Sequence, residues 1–308
     1  MNDLITGGTS SVLRGMARGR SSTTVLACAA PGIRGRRLLA ILLTHAVLII
    51  CSIIAGYPIV WLVLNSFKTE TQLYSNTFSI PTVINWENYR EAIELSRIGT
   101  FIWNSIFVTT STVIIVVFLG SLAAYAFARL RFRGREILFY TFLISMILPP
   151  TVSIIPQFTV VVKLHLINTY FGLILPYASG GLAFAIFLFR GFLAGLPREL
   201  EEAALIDGCS LLRVYSQIVI PLSKPIIATV TIFQFMNTWN EFFWALLAAQ
   251  DPTVATIPVG LINFSTQWVT KWPSLFAVLT LAAVPIIIVY VALQGQFISG
   301  LTSGALKG

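Results

Sequence analysis

Six stretches of this sequence are long and apolar enough to cross a lipid bilayer, and they limit what the chain can fold into. A hydrocarbon core of roughly 30 Å takes about 20 apolar residues in a helix. The stretches run over about 38–67, 104–128, 137–155, 170–192, 225–249 and 274–298. Gly56-Tyr57-Pro58, Pro149-Pro150, Pro176 and Pro285 interrupt them. In a membrane such breaks are tolerated, because neighbouring helices satisfy the freed backbone groups. Composition agrees: 56% of residues are hydrophobic and 10% charged, against about 25% charged in a soluble domain. With a mean hydropathy of +0.84, no water-facing surface can be assembled, which excludes an ordinary cytosolic enzyme. The expected fold is an all-α integral membrane protein of six transmembrane helices.

A net charge of +8 and a pI near 9.7 suggest nucleic acid only until the basic residues are placed. They flank the apolar runs, as in membrane orientation. With an inside N-terminus, the inner face takes the six arginines from Arg14 to Arg37, then Arg129, Arg131, Arg133, Arg135, Arg190, Arg198, Arg213, Lys224 and Lys307. Only Lys68, Arg90, Arg97, Lys163 and Lys271 fall outside. Both termini are therefore expected in the cytoplasm. Residues 1–37 form a basic, Ser/Thr/Gly-containing leader, expected to be disordered and uncleaved; its composition also fits a transit peptide, and Met16 is an alternative start. Cys28, Cys51 and Cys209 have neither metal nor disulfide spacing.

Residues 68–100 are the one sizeable outer segment, expected as a turn region over 76–81 and a short helix over 86–95. Its charges read either as a solvated face, with Glu94 near Arg90, or as a docking surface.

The most informative inner segment is 197–222. Pro197 suits a helix start, and Glu199, Glu201 and Glu202 lie at its dipole-positive end. Gly208 suits the left-handed residue past the helix end. Ser210 then caps a second helix in which Leu211, Val214, Tyr215 and Ile218 share a face, closed by Pro221 and Pro225. This two-helix elbow is expected to lie between the fourth and fifth spans, exposing carboxylates and an amphipathic face to another protein. The alternative is a helix lying on lipid, which acids near a negative leaflet disfavour.

Glu202-Ala203-Ala204, three residues, Gly208, nine residues, then Ile218-Val219-Ile220-Pro221 resembles the EAA loop of ABC importer permeases, with Ile220 in place of the signature's Leu. Asn104-Ser105, Ala123 to Arg129, Asn237 to Phe242 and the tail from Gly300 to Gly308 resemble the sugar-importer branch of maltose-permease type. The resemblance covers about 38–308. It implies a coupling loop over 197–222, with Glu201, Glu202, Ala203, Ala204, Asp207, Gly208, Ile218 and Pro221 as the ATPase-coupling residues. It also implies a second permease subunit, an ATPase dimer that binds ATP and Mg²⁺, an extracytoplasmic sugar-binding protein, and a cytoplasmic tail, 299–308, whose end from Gly304 to Gly308 makes a second contact with the ATPase. The chain itself has no Gly-x-x-x-x-Gly-Lys-Ser/Thr loop, so no cofactor and no catalytic or metal residue is expected in it.

Glu241 is the one acid well inside an expected span, and such residues are functional candidates. It lies 16 residues beyond Pro225, about 24 Å at the helical rise. With Asn237, Trp239 and Asn240 it offers amides, a carboxylate and a ring suited to a sugar, or else an interhelical network. In the family's maltose example the other permease supplies the sugar site. His45 is expected as a hydrogen-bonded polar residue. The rival function is an ion-coupled secondary carrier.

Overall fold

The computed structural model describes residues 31–95, 97–266 and 271–305, and their side chains over 38–94, 97–149, 151–262 and 271–296. Every regular element among them is helical. They divide into two units after Tyr57.

The first unit is most of α1 (Pro31–Ser66). From Leu38 to Tyr57 it is apolar around its whole circumference, a pattern suited to lipid. Its few polar side chains turn back one helical turn: Thr44 Oγ1 donates to Ala40 O, Ser52 Oγ donates to Leu48 O, and His45 Nδ1 lies 2.8 Å from Ile41 O. The described part of α1 starts at Pro31, so helix already covers the last seven residues of the expected leader. The leader up to residue 30 lies outside the described residues.

In the second unit the chain leaves α1 into a cap made of α2 (Glu70–Ser75) and α3 (Glu87–Leu95). α2 replaces part of an expected loop. A capping box nucleates it, Thr69 and Gln72 each accepting from the other's backbone N–H. Lys68 is fully buried beneath it, its Nζ donating to Asn76 O at 3.1 Å and Thr77 O at 2.9 Å. Burial lowers the pKa of that ammonium. Asn88 Nδ2 donates to Ser66 O and Lys68 O. Arg90 pairs with Glu94 at 3.1 Å, as expected.

The remaining helices are α4 (Ile98–Arg129), α5 (Arg135–Ile147), α6 (Pro150–Lys163), α7 (Tyr170–Ala194), α8 (Glu199–Ile206), α9 (Leu211–Val214), α10 (Ile220–Leu222), α11 (Lys224–Trp239), α12 (Phe243–Ala248), α13 (Ile257–Thr266) and α14 (Trp272–Ala305). α4 packs along α7, and α11 lies against both α4 and α14. Small residues make the α4–α7 seam close: a Cβ at Gly120 would stand 2.8 Å from Ala185 Cβ. One apolar core joins α4, α7, α12, α13 and α14 at the cap end, and a second gathers α4, α7 and the α9–α11 region at the other.

Among the described residues, four helices are long and apolar enough to span a membrane: Leu38–Ser66, Ile98–Arg129, Tyr170–Ala194 and Trp272–Gln296. Two other expected spans are interrupted. The third, 137–155, is not one helix: α5 and α6 meet at 108°, because Pro149 and Pro150 lack N–H groups and each bars helical backbone in the residue before it. The fifth, 225–249, breaks between Trp239 and Phe243. α14 continues to Ala305, so most of the expected tail is helical backbone, and residues 306–308 lie outside the described residues.

Asn104 fastens the cap end. It is buried, its Nδ2 donates to Thr253 O and Ala255 O, both at 2.9 Å, and its Oδ1 accepts from Tyr170 Oη at 2.8 Å. Ser105 Oγ accepts from Ile257 N at 2.9 Å. One turn of α4 thus holds α7 and the start of α13. Asn104→Ala strands these partners and is expected to cost about 2 kcal/mol. In detergent, that should appear as a drop of about 4–8 °C in melting temperature, whereas Asn237→Ala, at an exposed site, leaves it unchanged.

A pH-dependent link joins α3 to α14. Glu91 accepts from Lys271 Nζ at 2.8 Å and Ser274 Oγ at 3.0 Å, and the lysine holds its carboxyl below the usual range. A depressed carboxylate stabilises above its unfolded pKa, about 4.3 for Glu, and loses that contribution as pH falls through the lower folded value. Acid melting curves of Glu91→Gln should lack this component, worth under about 1 kcal/mol for so exposed a pair.

Candidate functional site

Below α7 the chain doubles back through the elbow. α8 ends in a left-handed closure: Cys209 N donates to Ala204 O at 3.0 Å and Gly208 N to Leu205 O at 3.1 Å, with Gly208 at φ +83°. This is the Schellman arrangement, and its positive φ is the reason for glycine. Ser210 then caps α9, its Oγ accepting from Arg213 N at 3.4 Å.

The acids of α8 divide by role. Glu201 is buried, and its Oε1 accepts from Arg129 Nε at 2.7 Å. The two side chains are 8% and 10% exposed for Arg129 and Glu201. Arg129 Nη2 also donates to Leu196 O at 3.1 Å. Glu202, Ala203 and Asp207 are exposed instead, while Ala204 and Cys209 rest on the elbow-end core. Around Glu202 the surface is apolar and uncovered: Ile206 is 86% and Leu212 70% exposed. The elbow therefore has an anchored side, through Glu201, and an open side, through Glu202 and Ile206. Spacing alone did not separate the two adjacent glutamates. The detectable signal is Arg129, the first of four closely spaced arginines after the apolar run.

The second limb departs from the expected regular helix. A π turn spans Tyr215–Val219, with Ile220 N donating to Tyr215 O. This wide turn immediately precedes Pro221, which has no N–H and whose ring crowds the carbonyl one turn back. It inserts a residue into the face, so Val214, Tyr215 and Val219 are buried and Ile218 is only partly so; Leu211 is 49% exposed. Tyr215 Oη lies 2.8 Å from Ser121 Oγ, a second fastening of the elbow to α4. Past Ser223 the chain bends by 75° into α11.

The polar cluster in the fifth run also divides. Trp239 is buried, stacked on Phe235 with centroids 5.4 Å apart, and its Nε1 donates to Ala282 O at 3.2 Å. Glu241 closes the broken helix: its Oε1 accepts from Trp244 N at 2.8 Å, and its Oε2 accepts from Ala245 N at 3.1 Å and from Tyr177 Oη. A carboxylate at the start of a helix is favoured by the unpaired N–H groups there. Asn237 and Asn240 are exposed, and Asn240 Nδ2 donates to Met236 O of its own helix. The four residues thus do not converge on one point. Tyr177, which sequence reasoning passed over, is the partner that fixes Glu241.

Residues 116–302 match the family described as the inner membrane component of binding-protein-dependent transport systems. The chain is 38% identical to the probable ABC transporter permease protein YurM of Bacillus subtilis, over 82% of this chain and 84% of that one. It is 35% identical to the diacetylchitobiose uptake system permease protein NgcG of Streptomyces coelicolor, over 88% and 90%. It is 34% identical to the arabinooligosaccharides transport system permease protein AraQ of Halalkalibacterium halodurans, over 83% and 92%. Among solved structures it resembles a bacterial ABC transporter involved in the import of the acidic polysaccharide alginate, with a TM-score of 0.75 and 26% identity, covering 86% of this chain and 98% of that one. The helical fold, the spans and the whole-length likeness agree: the chain belongs to the inner-membrane permeases of binding-protein-dependent ABC importers.

Proposed function

We propose that this chain is a permease subunit of an ATP-driven sugar importer, coupled through the elbow to a separate ATPase dimer that holds ATP and Mg²⁺. Its other partners are a second permease and an extracytoplasmic sugar-binding protein. Both termini and the elbow face the cytoplasm, the side favoured by the basic loops. The substrate is a di- or oligosaccharide, the class in the names of the diacetylchitobiose and arabinooligosaccharide relatives. Mass spectrometry of the complex, gently purified from native membranes, is expected to find these components. A chain that purifies alone and supports uptake without ATP overturns the proposal.

One observation carries the coupling reading. The elbow ends in an apolar tip, Ile206 at 86% and Leu212 at 70% exposed, beside an exposed carboxylate, Glu202, while the adjacent Glu201 is spent on internal anchoring. In this reading Glu202 meets a basic group of the ATPase, and Gly208 sets the angle between the limbs. Glu202→Ala and Gly208→Pro are expected to assemble but lose most ATP-driven uptake, since proline cannot adopt the positive φ. Normal uptake by both at normal expression defeats the assignment.

Glu201 should behave differently. Arg129→Met strands a buried carboxylate and is expected to cost about 3–5 kcal/mol, read as loss of assembled complex. Arg129→Met with Glu201→Met should recover most of that assembly. Glu202→Ala is expected to change assembly little, so the two neighbours separate stability from coupling.

A further inference from the structure

At the elbow end, α4 and α5 are joined by a basic turn, Leu130-Arg131-Phe132-Arg133-Gly134. Beside this turn lies a cavity of about 620 Å³, lined by Arg129, Arg131, Arg135, Arg198, Glu136 and apolar groups. That volume suits a small ligand. Its charges are unevenly spent. Arg129 is neutralised by Glu201. Glu136 accepts at 2.8 Å from both Arg135 Nη2 and Arg190 Nη2, so one carboxylate faces two guanidiniums. Arg131 and Arg198 are exposed and have no ion-pair partner among the described residues. Glu199 and Glu202, though near in sequence, do not line the cavity. The lining charges alone leave two positive charges uncompensated, and Arg190, which shares Glu136 from outside the lining, adds a third beside it. Guanidiniums in this arrangement select a phosphate, which offers several anionic oxygens to their paired N–H groups.

The apolar groups narrow the source of that phosphate. Phe132 and Ile137 line the cavity and are 40% and 74% exposed. From Ile137 an exposed stripe continues along α5 through Tyr140, Ile144 and Ile147, spaced at helical i, i+3 and i+4 intervals. A cationic mouth opening onto an apolar stripe matches a molecule with an anionic head and a hydrocarbon tail. Basic pockets beside transmembrane helices bind such headgroups.

We propose that this cavity binds the headgroup phosphate of an anionic phospholipid, held by Arg131 and Arg198, with an acyl chain along the α5 stripe. The site is distinct from the open side of the elbow, although Arg198 belongs to the same loop at the start of α8, and it does not depend on the transported sugar. Arg135 and Arg190, tied to Glu136, keep the first turn of α5 in place beneath the bound headgroup.

Lipid retention tests this directly. The full-length chain in its purified assembly is equilibrated in mixed micelles with phosphatidylglycerol and phosphatidylcholine, and retained lipid is counted by native mass spectrometry. Wild type is expected to prefer phosphatidylglycerol. Arg131→Gln with Arg198→Gln should weaken that preference by about 25-fold, at about fivefold for each arginine near the anionic surface. Both positions are exposed, so assembly should persist. Arg213→Gln, an exposed arginine outside the cavity, should retain the preference. Equal retention of the two lipids by wild type, or an unchanged preference in the double variant, overturns the proposal. A parallel arm adds inorganic phosphate at millimolar concentration. Displacement of phosphatidylglycerol by phosphate alone assigns the site to a soluble anion and overturns the lipid assignment, while undiminished retention supports it.

Discussion

A polar group inside the hydrocarbon layer has no water to turn to, so each place where a helix stops must be closed by something the chain carries there. This fold stops its helices often, and the closing groups are the residues that organise it. Asn104 offers both ends of its amide, two N–H bonds to the loop before α13 and one acceptor to Tyr170. Glu241 holds the first N–H groups of α12 where α11 has ended. Arg129 closes α4 by reaching Leu196 O and Glu201. At Asn104 and Arg129 a side chain of α4 satisfies backbone groups of another segment, and at Glu241 a local cap is tied to α7 through Tyr177, so a backbone requirement becomes a tertiary contact.

The elbow applies the same rule where the bilayer ends. Its two limbs are fastened to α4 by bonds of different kinds, an ion pair at Glu201 and a hydroxyl pair at Tyr215. The second limb also runs into α11 through a π turn, a proline and a 75° bend. In the coupling proposed above, a partner gripping Ile206 and Glu202 pulls on a rigid piece rather than a loop. The displacement then reaches α4 through the side chains and α11 through the backbone, as a rigid-body transition requires. Gly208 is where the limbs can differ in direction, because the closure there leaves no side chain to resist it.

Patterns set by bilayer thickness and helix period were legible in the sequence: the apolar runs, the helical class, the glycine closure after Asp207 and the Ser210 cap. Features decided by three-dimensional pairing were not. Helical period puts Glu201 and Glu202 on different faces, but only the position of Arg129 makes one an anchor and leaves the other free. Lys68 belonged by charge to an outer loop, yet it is buried under α2, because Asn76 and Thr77 turn their carbonyls toward it. The face expected on the second limb slipped by one residue at the π turn, which a strict i, i+4 reading cannot register. Asn237 to Glu241 share about one turn only where the helix runs on unbroken. The break after Trp239 sends Glu241 to a capping role and leaves the asparagines on another face.

The charges at the elbow end follow from this arrangement. Arg198 and Glu199 are neighbours in sequence, but only the arginine lines the basic cavity, whereas Glu202 stands on the open side of α8. Arg129, in the cavity wall, is held in the buried pair with Glu201, neutral as a unit and largely shielded from solvent. Without it, an unpaired Arg129 would extend the cavity's positive field toward α8 and an unpaired Glu201 would extend the negative one toward the cavity. In a low-dielectric setting each would act over several ångströms with little screening. Pairing them inside the fold lets surfaces of opposite sign, at Arg198 and Glu202, sit four residues apart in sequence. In the two proposals above, one sign then serves an anionic lipid head and the other a basic partner, so neither ligand competes for the other's site.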